Sequence, residues 1–412
     1  MLKTNWSGNL SYSSDVIEVE SVEQLQEIVT GHQQVKVVAT GHTFNDIADS
    51  SIALVSLHKM NRILEINDYE QTVTIEAGVR YGELAIALHQ AGYALHNLAS
   101  LPHINVVGAC MTGTHGSGMQ NGNLATAVTA IEFMDAQGNL VYVEAEDEIF
   151  DGMIINLGAI GIITKMTLKI EPTYDVRQTV FLNLPMADFL TNFEAVMSAG
   201  YSVSAFTDWQ SDNIQQIWVK QKANETPITD LFGATQATRN YHPIAEVSPE
   251  NSTLQLGELG AWHERLPHFQ LDFMPSKGDE LQSEYFVSCE HAIDAIEALQ
   301  SIGEMMQDVL LVSEIRYIAG DNLWMSPCYQ RDSVAFHFTW RQNWAAVRDV
   351  LVEIERVLEP FAPRPHWGKL FTMSSATIQS RYPRFNDFRE LVLENDAQGK
   401  FRNRYLSALL DK

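Results

Sequence analysis

Along the N-terminal part of the chain, short apolar runs of strand length alternate with two stretches of helical spacing. DVIEVE (residues 15–20) reads as a strand. SVEQLQEIVTGH reads as an amphipathic helix with Ser21 as N-cap and Gly31 near its end. VKVVAT is a buried strand that runs into GHTFND, and SIALVSL, RILEI and QTVTIEAG follow as further strands. YGELAIALHQAGYAL is a second helix, ended near Gly92. TAVTAIEFMDAQGNLVYVEA predicts a hairpin turning at Gln137-Gly138-Asn139, and NLGAIGIITKMTLKIEPTY a glycine-punctuated turn before a strand. Pro172 closes this region, giving a first domain over residues 1–174.

The rhythm then changes. Residues 175–358 mix strands (TVFLNL, SVSAFTDW, IWVKQK) with helices (ADFLTNFEAVMSAG, CEHAIDAIEALQSIG, NWAAVRDVLVEIERVLE), which predicts an α+β sheet with helices on one face. Residues 224–277 are long and irregular, as functional loops are. The last segment, 359–412, is proline-punctuated and then helical. No internal repeat is present, and the fold class expected is α+β throughout.

Composition narrows the function classes. The 412 residues suffice for two or three domains with substantial cores. A formal charge of −25 argues against a nucleic-acid footprint and against binding to anionic membranes. Three scattered cysteines make neither a disulfide framework nor a zinc cluster. The first residues lack the apolar core of a signal peptide, and no later run is long enough to span a bilayer. A cytoplasmic location is the default expectation.

Candidate chemistry lies in two regions. VVATGHTFND and ASLPHINVVGACMTGTHGSG each place a histidine in a glycine- and threonine-rich loop directly after an apolar run. Such loops present backbone N–H groups to an anionic ligand, so the pair is expected to cradle a dinucleotide. Gly113, Gly116 and Gly118 read GxxGxG rather than the Rossmann GxGxxG, and as a bare motif they equally fit turn chemistry. His42, His103 and His115 lack an accompanying carboxylate or cysteine at ligand spacing, so no metal site is expected.

The second region is a pair of strands. In DVLLVSEIRYIAG, period two puts Val312, Glu314, Arg316 and Ile318 on one face and Leu311, Ile315 and Tyr317 on the other. In SVAFHFTW, His337 and Thr339 oppose Phe336, Phe338 and Trp340. Side by side, these strands would form a polar floor beneath an apolar pocket. The plain alternative is a structural Glu314–Arg316 ion pair with His337 as a satisfied core histidine. PRPHWGK adds His366 and Lys369, spaced one helical turn apart; a lysine buried near Arg316 has its ammonium form disfavoured, as a proton acceptor requires.

ATGHTFND, LHNLASLPHINVVGACMTGTHGSG and NLGAIGIITKMTL resemble the three flavin-binding elements of the vanillyl-alcohol oxidase superfamily. Within it the chain is most similar to the alditol (xylitol) oxidases, through NWSGNLSY, ATRNYHPI, WHERLPHF, ELQSEYFV, SEIRYI, FHFTW and RPHWGK. The resemblance implies an FAD-binding domain of two α+β subdomains (1–174), an α+β substrate-binding cap (175–358) and a C-terminal segment that completes the active site (359–412). It implies FAD held covalently through His42, a link that raises the flavin potential and prevents cofactor loss.

The same resemblance places the cofactor on Thr40, Gly41, Thr43 and Phe44 of the first loop. It adds Ala99, Ser100, Asn105, Gly108, Ala109, Cys110, Thr112, Gly113, Thr114, His115, Gly116 and Gly118 of the second. Gly158, Gly161 and Ile162 of the third element and His366 complete the set. Ala99 falls where a small residue governs oxygen access. Lys369 and Arg316 would meet the reacting hydroxyl and His337 would orient the network; Arg316 acts only electrostatically, because guanidinium does not deprotonate. Ser100, Glu314, Thr339 and Gln282 would bind the polyol's hydroxyls. The implied partners are a polyol and O₂, and the implied state a monomer. The nearest rival is an aldonolactone oxidoreductase. A dehydrogenase using another acceptor and a non-catalytic flavin- or sugar-binding protein are further alternatives.

Overall fold

The computed structural model describes residues 3–272 and 280–411, and three sheets carry the fold among them. The first is parallel: β1 (Val16–Glu18) and β2 (Lys36–Val37) flank β3 (Leu54–Ser56), with α1 (Val22–Gly31) between β1 and β2 in the chain. The Ser21 side chain accepts from Gln24 N and caps α1, while Leu25, Ile28 and Val29 form its buried stripe. The strand expected over VKVVAT keeps regular pairing only at Lys36–Val37, because the chain then leaves the sheet to form the first loop.

The second sheet is antiparallel, in the order β4 (Ile63–Asn67), β5 (Thr72–Glu76), β8 (Ile162–Lys169), β6 (Val128–Met134) and β7 (Leu140–Glu144). β6 and β7 are the expected hairpin. Against this sheet and the first lie α2 (Tyr81–Gln90) and the short α3 (Val106–Met111), sharing one core with the C-terminal helices α6 (Ser375–Arg381), α7 (Phe385–Asn395) and α8 (Arg404–Leu410).

The third sheet has nine strands among the described residues. Its centre is β11 (Asn213–Lys222), β10 (Ser202–Thr207), β13 (Leu310–Ile318), β14 (Ser333–Arg341) and β12 (Glu280–Ser288). β9 (Asp175–Pro185) lies beyond β11, and β15 (Arg364–Pro365) pairs with β12. Helices α4 (Ala292–Gln300) and α5 (Trp344–Leu358) cover one face only. There Val347, Leu351 and Ile354 meet Ile315, Phe336 and Phe338. Each such side chain, fully buried, contributes about 1.5–3 kcal/mol. The opposite face looks toward the first two sheets and carries the site. The irregular stretch expected over 224–277 holds only the short pieces Thr235–Gln236, Pro249–Asn251, Gly260–Ala261 and Trp262–Arg265. Part of it, 273–277, lies outside the described residues.

Candidate active site

Strand register assembles the polar floor. β12 and β13 both pair with β14, setting Glu284 and Glu314 on either side of His337 in one lateral row. The next row holds Gln282, Thr339 and Val312. The alternation seen in the sequence therefore works as expected, with Phe336, Phe338 and Trp340 in the core behind the floor. Gln282 Oε1 lies 3.1 Å from His337 Nε2 and fixes that ring.

The ionic partners differ from those expected. Glu314 and Arg316 do form an ion pair, but a loose one: Arg316 Nε is 3.6 Å from Glu314 Oε1, beyond hydrogen-bond distance. Arg316 Nη2 instead donates to Glu284 Oε1 at 2.7 Å, and His268 Nε2 lies 2.8 Å from Glu314 Oε1. Lys369 Nζ donates to the other oxygen of Glu284, Oε2, at 2.7 Å. One carboxylate, 1% exposed, thus joins both candidate cations. His115 Nε2 approaches the same carboxylate at 3.2 Å.

Burial alone would raise the Glu284 carboxyl, but Lys369, His115 and Arg316 together hold it well below the usual carboxylate range. Burial lowers Lys369 from its ordinary value; Glu284 opposes this shift and Arg316 adds to it. His337 and His366 are also pushed well down, first by burial and then by Lys369, which favours the neutral ring in each.

Lys369 sits on a turn rather than on a helix. Its N–H donates to His366 O at 3.1 Å, and the turn is stapled from both sides. His366 N and Leu370 N donate to Glu284 O and Gln282 O at 3.0 and 2.9 Å. From the first loop, Phe44 N donates to Gly368 O at 2.7 Å, and Asn45 Nδ2 donates to Trp367 O and Lys369 O at 2.8 and 2.9 Å. The loop carrying His42 and the turn carrying Lys369 are thus bonded directly to each other. His366 Nδ1 accepts from Gly368 N at 3.1 Å, which leaves the ring hydrogen on Nε2, 3.5 Å from Thr114 Oγ1.

The floor faces a cavity of about 860 Å³, toward the upper end of the roughly 300–1,000 Å³ range of ligand pockets. Ser100, Gln282, Glu314, Arg316, His337, Thr339 and Lys369 all border it, and so do Thr40, Gly41, His42, Thr43 and Phe44 of the first loop. From the second loop and third element, Ala99, Asn105, Gly108, Ala109, Thr112, Thr114, His115, Gly158, Gly161 and Ile162 reach it, as does His366. Gly41 takes φ +70° to turn the chain into His42.

Four candidate cofactor residues lie away from the cavity, for reasons of packing. Cys110 is buried on α3 with Sγ 3.4 Å from Tyr81 Oη. Gly113 packs on Pro327, and a Cβ on Gly116 would fall 2.5 Å from Leu98 O. Gly118, at φ +135°, donates its N–H to Tyr317 O at 2.8 Å and ties the second loop to β13. GxxGxG is thus largely turn chemistry here.

Two observations test whether a large flavin cofactor fits. The cavity runs continuously from both glycine loops to the polar floor. His42 Nδ1 is buried with no hydrogen-bond partner, and Trp6 stacks on the ring at 5.3 Å and 24°. Burial, aided by His103, lowers His42 to about 4, so the neutral ring is favoured and one of its two nitrogens carries a lone pair. An unpaired buried nitrogen is costly unless a ligand engages it. The residues fit the group. Among the described residues no cluster could hold a metal ion, and no helix is long and apolar enough to cross a membrane.

Sequence reasoning missed Glu284 and His268. Glu284 was detectable: it stands two residues after Gln282, on the same face of the same strand. His268 was not, because it comes from an irregular stretch whose path no periodicity fixes.

Comparison with known proteins gives a consistent picture. A family model described as an FAD binding domain matches residues 14–144, and one described as D-arabinono-1,4-lactone oxidase matches residues 274–409. The chain is 43% identical to an alditol oxidase of a Streptomyces species, over 99% of both proteins. It is 27% identical to L-gulonolactone oxidase of Mus musculus, covering 98% of this chain and 96% of that one. Among solved structures, cholesterol oxidase from B. sterolicum matches with TM-score 0.79 at 12% identity, over 99% of this chain and 96% of that one, a likeness of fold.

Proposed function

Because this chain belongs to the alditol oxidase family of FAD-linked oxidases, we propose that it oxidises the terminal C1 hydroxyl of alditols such as xylitol and sorbitol to the aldose. FAD, when bound, would supply the hydride acceptor at N5 and the route by which the electron pair reduces O₂ to H₂O₂. Residues 1–174 would hold FAD, 175–358 would form the substrate cap, and 359–412 would complete the site. Its nature as a cytoplasmic monomer, with three unpaired cysteines, belongs to the same proposal.

The observation that supports this reading most is the Glu284 junction. Two basic side chains, Lys369 and Arg316, are held on one buried carboxylate in the floor of the cavity that His42 borders. A mere sugar-binding pocket has no use for such an arrangement. Arg316 stays charged, its pKa raised by Glu314 and Glu284 against the effect of burial, and stabilises alkoxide character at C1. Lys369, whose ammonium form burial disfavours, takes the hydroxyl proton on Nζ. Glu284 stays ionised and holds both groups in place. Glu314, Thr339, Ser100 and Gln282 would bind the remaining hydroxyls, and a site with so many fixed polar groups discriminates strongly against substrates that leave them unpaired.

His42 would hold the flavin covalently through Nδ1, its partnerless atom, while Trp6 keeps the ring in place. His366 Nε2–H would donate to the flavin. Ala99, buried beside Ser100, would set how closely O₂ approaches. Aerobic turnover of xylitol with product and peroxide analysis tests the proposal: aldose and H₂O₂ should form in equal amounts. Turnover with a dye but no peroxide would make the enzyme a dehydrogenase, and preference for a sugar lactone would make it a lactone oxidoreductase.

A further inference from the structure

Beside the floor, on the same face of the sheet, lies a string of buried polar groups that the proposed chemistry does not use, and one of them, His268, borders the cavity. Lys220 on β11 is 1% exposed, and its Nζ meets three acceptors. These are Leu266 O, Pro267 O at 3.2 Å and His268 Nδ1 at 3.1 Å. Burial lowers Lys220 to about 7, with Glu314 opposing the shift; the three acceptors match the three N–H donors of its ammonium form, which they favour. The ionised Glu314 carboxylate can only accept, so the ring hydrogen of the neutral His268 lies on Nε2, 2.8 Å from Glu314 Oε1, and Nδ1 is the acceptor that faces Lys220. Trp218 and Phe206 hold the ring edge-on, with centroids at 5.0 and 5.6 Å and interplanar angles of 72° and 64°. The imidazole is neutral: burial, with Lys220 beside it, lowers it to about 4.

The same short segment grips the flavin loop. His268 N and Phe269 N both donate to Ser100 O, at 3.1 and 3.3 Å. Glu314 borders the cavity with Oε1 already engaged, so the oxygen it offers to a ligand is Oε2.

We propose that Lys220 and His268 are positioning residues for substrate recognition. Lys220 locks His268 as the Nε2–H tautomer, and His268 locks Glu314 as an acceptor-only carboxylate whose Oε2 takes one hydroxyl hydrogen of the polyol chain. A carboxylate fixed in this way selects a hydroxyl over a carbonyl or a deoxy carbon at that position, since neither of those can donate. The inference rests on reading the cavity as a polyol site and assigns the device that enforces it.

The test compares His268→Asn, His268→Gln and Lys220→Met with the flavin-loaded wild type. Substrates are xylitol and a series of pentitols that each lack one hydroxyl. The glutamine amide N–H falls near the position of Nε2, and the asparagine amide is too short to reach it. His268→Asn should raise KM for xylitol by roughly ten- to hundred-fold, the loss of one hydrogen bond to a charged group, with a much smaller change in kcat. It should also abolish the wild-type preference for xylitol over one member of the deoxy series. His268→Gln should restore most of that preference, and Lys220→Met should weaken it. If His268→Asn does not load flavin, the contrast between His268→Gln and Lys220→Met decides the question. Equal losses on every substrate, with the deoxy preference intact, would overturn the relay alone. A wild type that oxidises no polyol would remove the polyol reading, and the relay with it.

Discussion

Replacing Glu284 by glutamine preserves shape and removes one charge from the centre of the site. In the wild type its two oxygens each accept at 2.7 Å, one from the Arg316 guanidinium and the other from Lys369 Nζ. A hydrogen bond to a charged partner contributes about 1.5–3 kcal/mol, and stripping one member from a buried ionic cluster costs about 3–5 kcal/mol. The amide of Glu284→Gln can accept from only one of the two side chains and turns its own donors toward the other. Flavin reduction should then slow by a factor on the order of 10²–10³, comparable to removing one oxyanion donor. The pH dependence has a definite sign. Burial lowers the Lys369 pKa and Glu284 raises it back, so removing Glu284 lowers it further. With neutral Lys369 as the proton acceptor, the acid limb of the reduction rate must move to lower pH while the plateau falls. Anaerobic stopped-flow reduction by xylitol across pH, on protein of confirmed flavin content, measures both. An unchanged plateau, or a limb that stays or moves to higher pH, would refute the assignment of Glu284 and Lys369.

The other expectations are simpler. Acid-precipitated wild type should stay yellow, and His42→Ala should release its flavin into the supernatant; a colourless wild-type pellet would end the covalent assignment. Lys369→Ala should keep its flavin yet be reduced at least about 10²-fold more slowly, a typical contribution of general base catalysis; unchanged kinetics would remove Lys369 from the mechanism. Gly116→Ala should lower the melting temperature, because its Cβ would fall 2.5 Å from Leu98 O and backbone must shift; an unchanged transition would show slack beside Ala99 and Ser100. The Glu284 and Glu314 carboxyls are held below the usual carboxylate range in the folded chain, so the stability they contribute is present above the unfolded carboxylate pKa and lost as pH falls through the lowered folded ones. Glu314→Gln should therefore show a shallower loss of thermal stability on acidification than wild type.

The alternation in SEIRYI and FHFTW made the floor legible, because strand periodicity dictates which side chains share a face and a flat sheet keeps them together. The helices over the other face were legible for the same reason. What period two cannot supply is the choice of partner. Glu314 and Arg316 are neighbours on one face, yet each bonds to a group from elsewhere, Glu314 to His268 and Arg316 to Glu284. The glycine loops were legible as loops only. Gly41 and Gly108 reach the cavity, whereas Gly113, Gly116 and Gly118 serve close packing against Pro327, Leu98 and Tyr201. Nothing in composition separates a glycine that admits a ligand from one that admits a neighbouring backbone. His366 and Lys369 were rightly expected together, but a proline-bounded turn bonded to the first loop and β12 holds them, not a helix.

The central claim is that the pocket assembled by Glu284, Arg316, Lys369 and Glu314 works on the terminal hydroxyl of a polyol. Anaerobic mixing of the flavin-loaded enzyme with xylitol, sorbitol, L-gulonolactone and 1-butanol, followed at the flavin absorbance, tests it most directly. The account predicts rapid, saturable bleaching by the two polyols and slow bleaching by the lactone and the simple alcohol. Bleaching by the lactone as fast as by xylitol would contradict it.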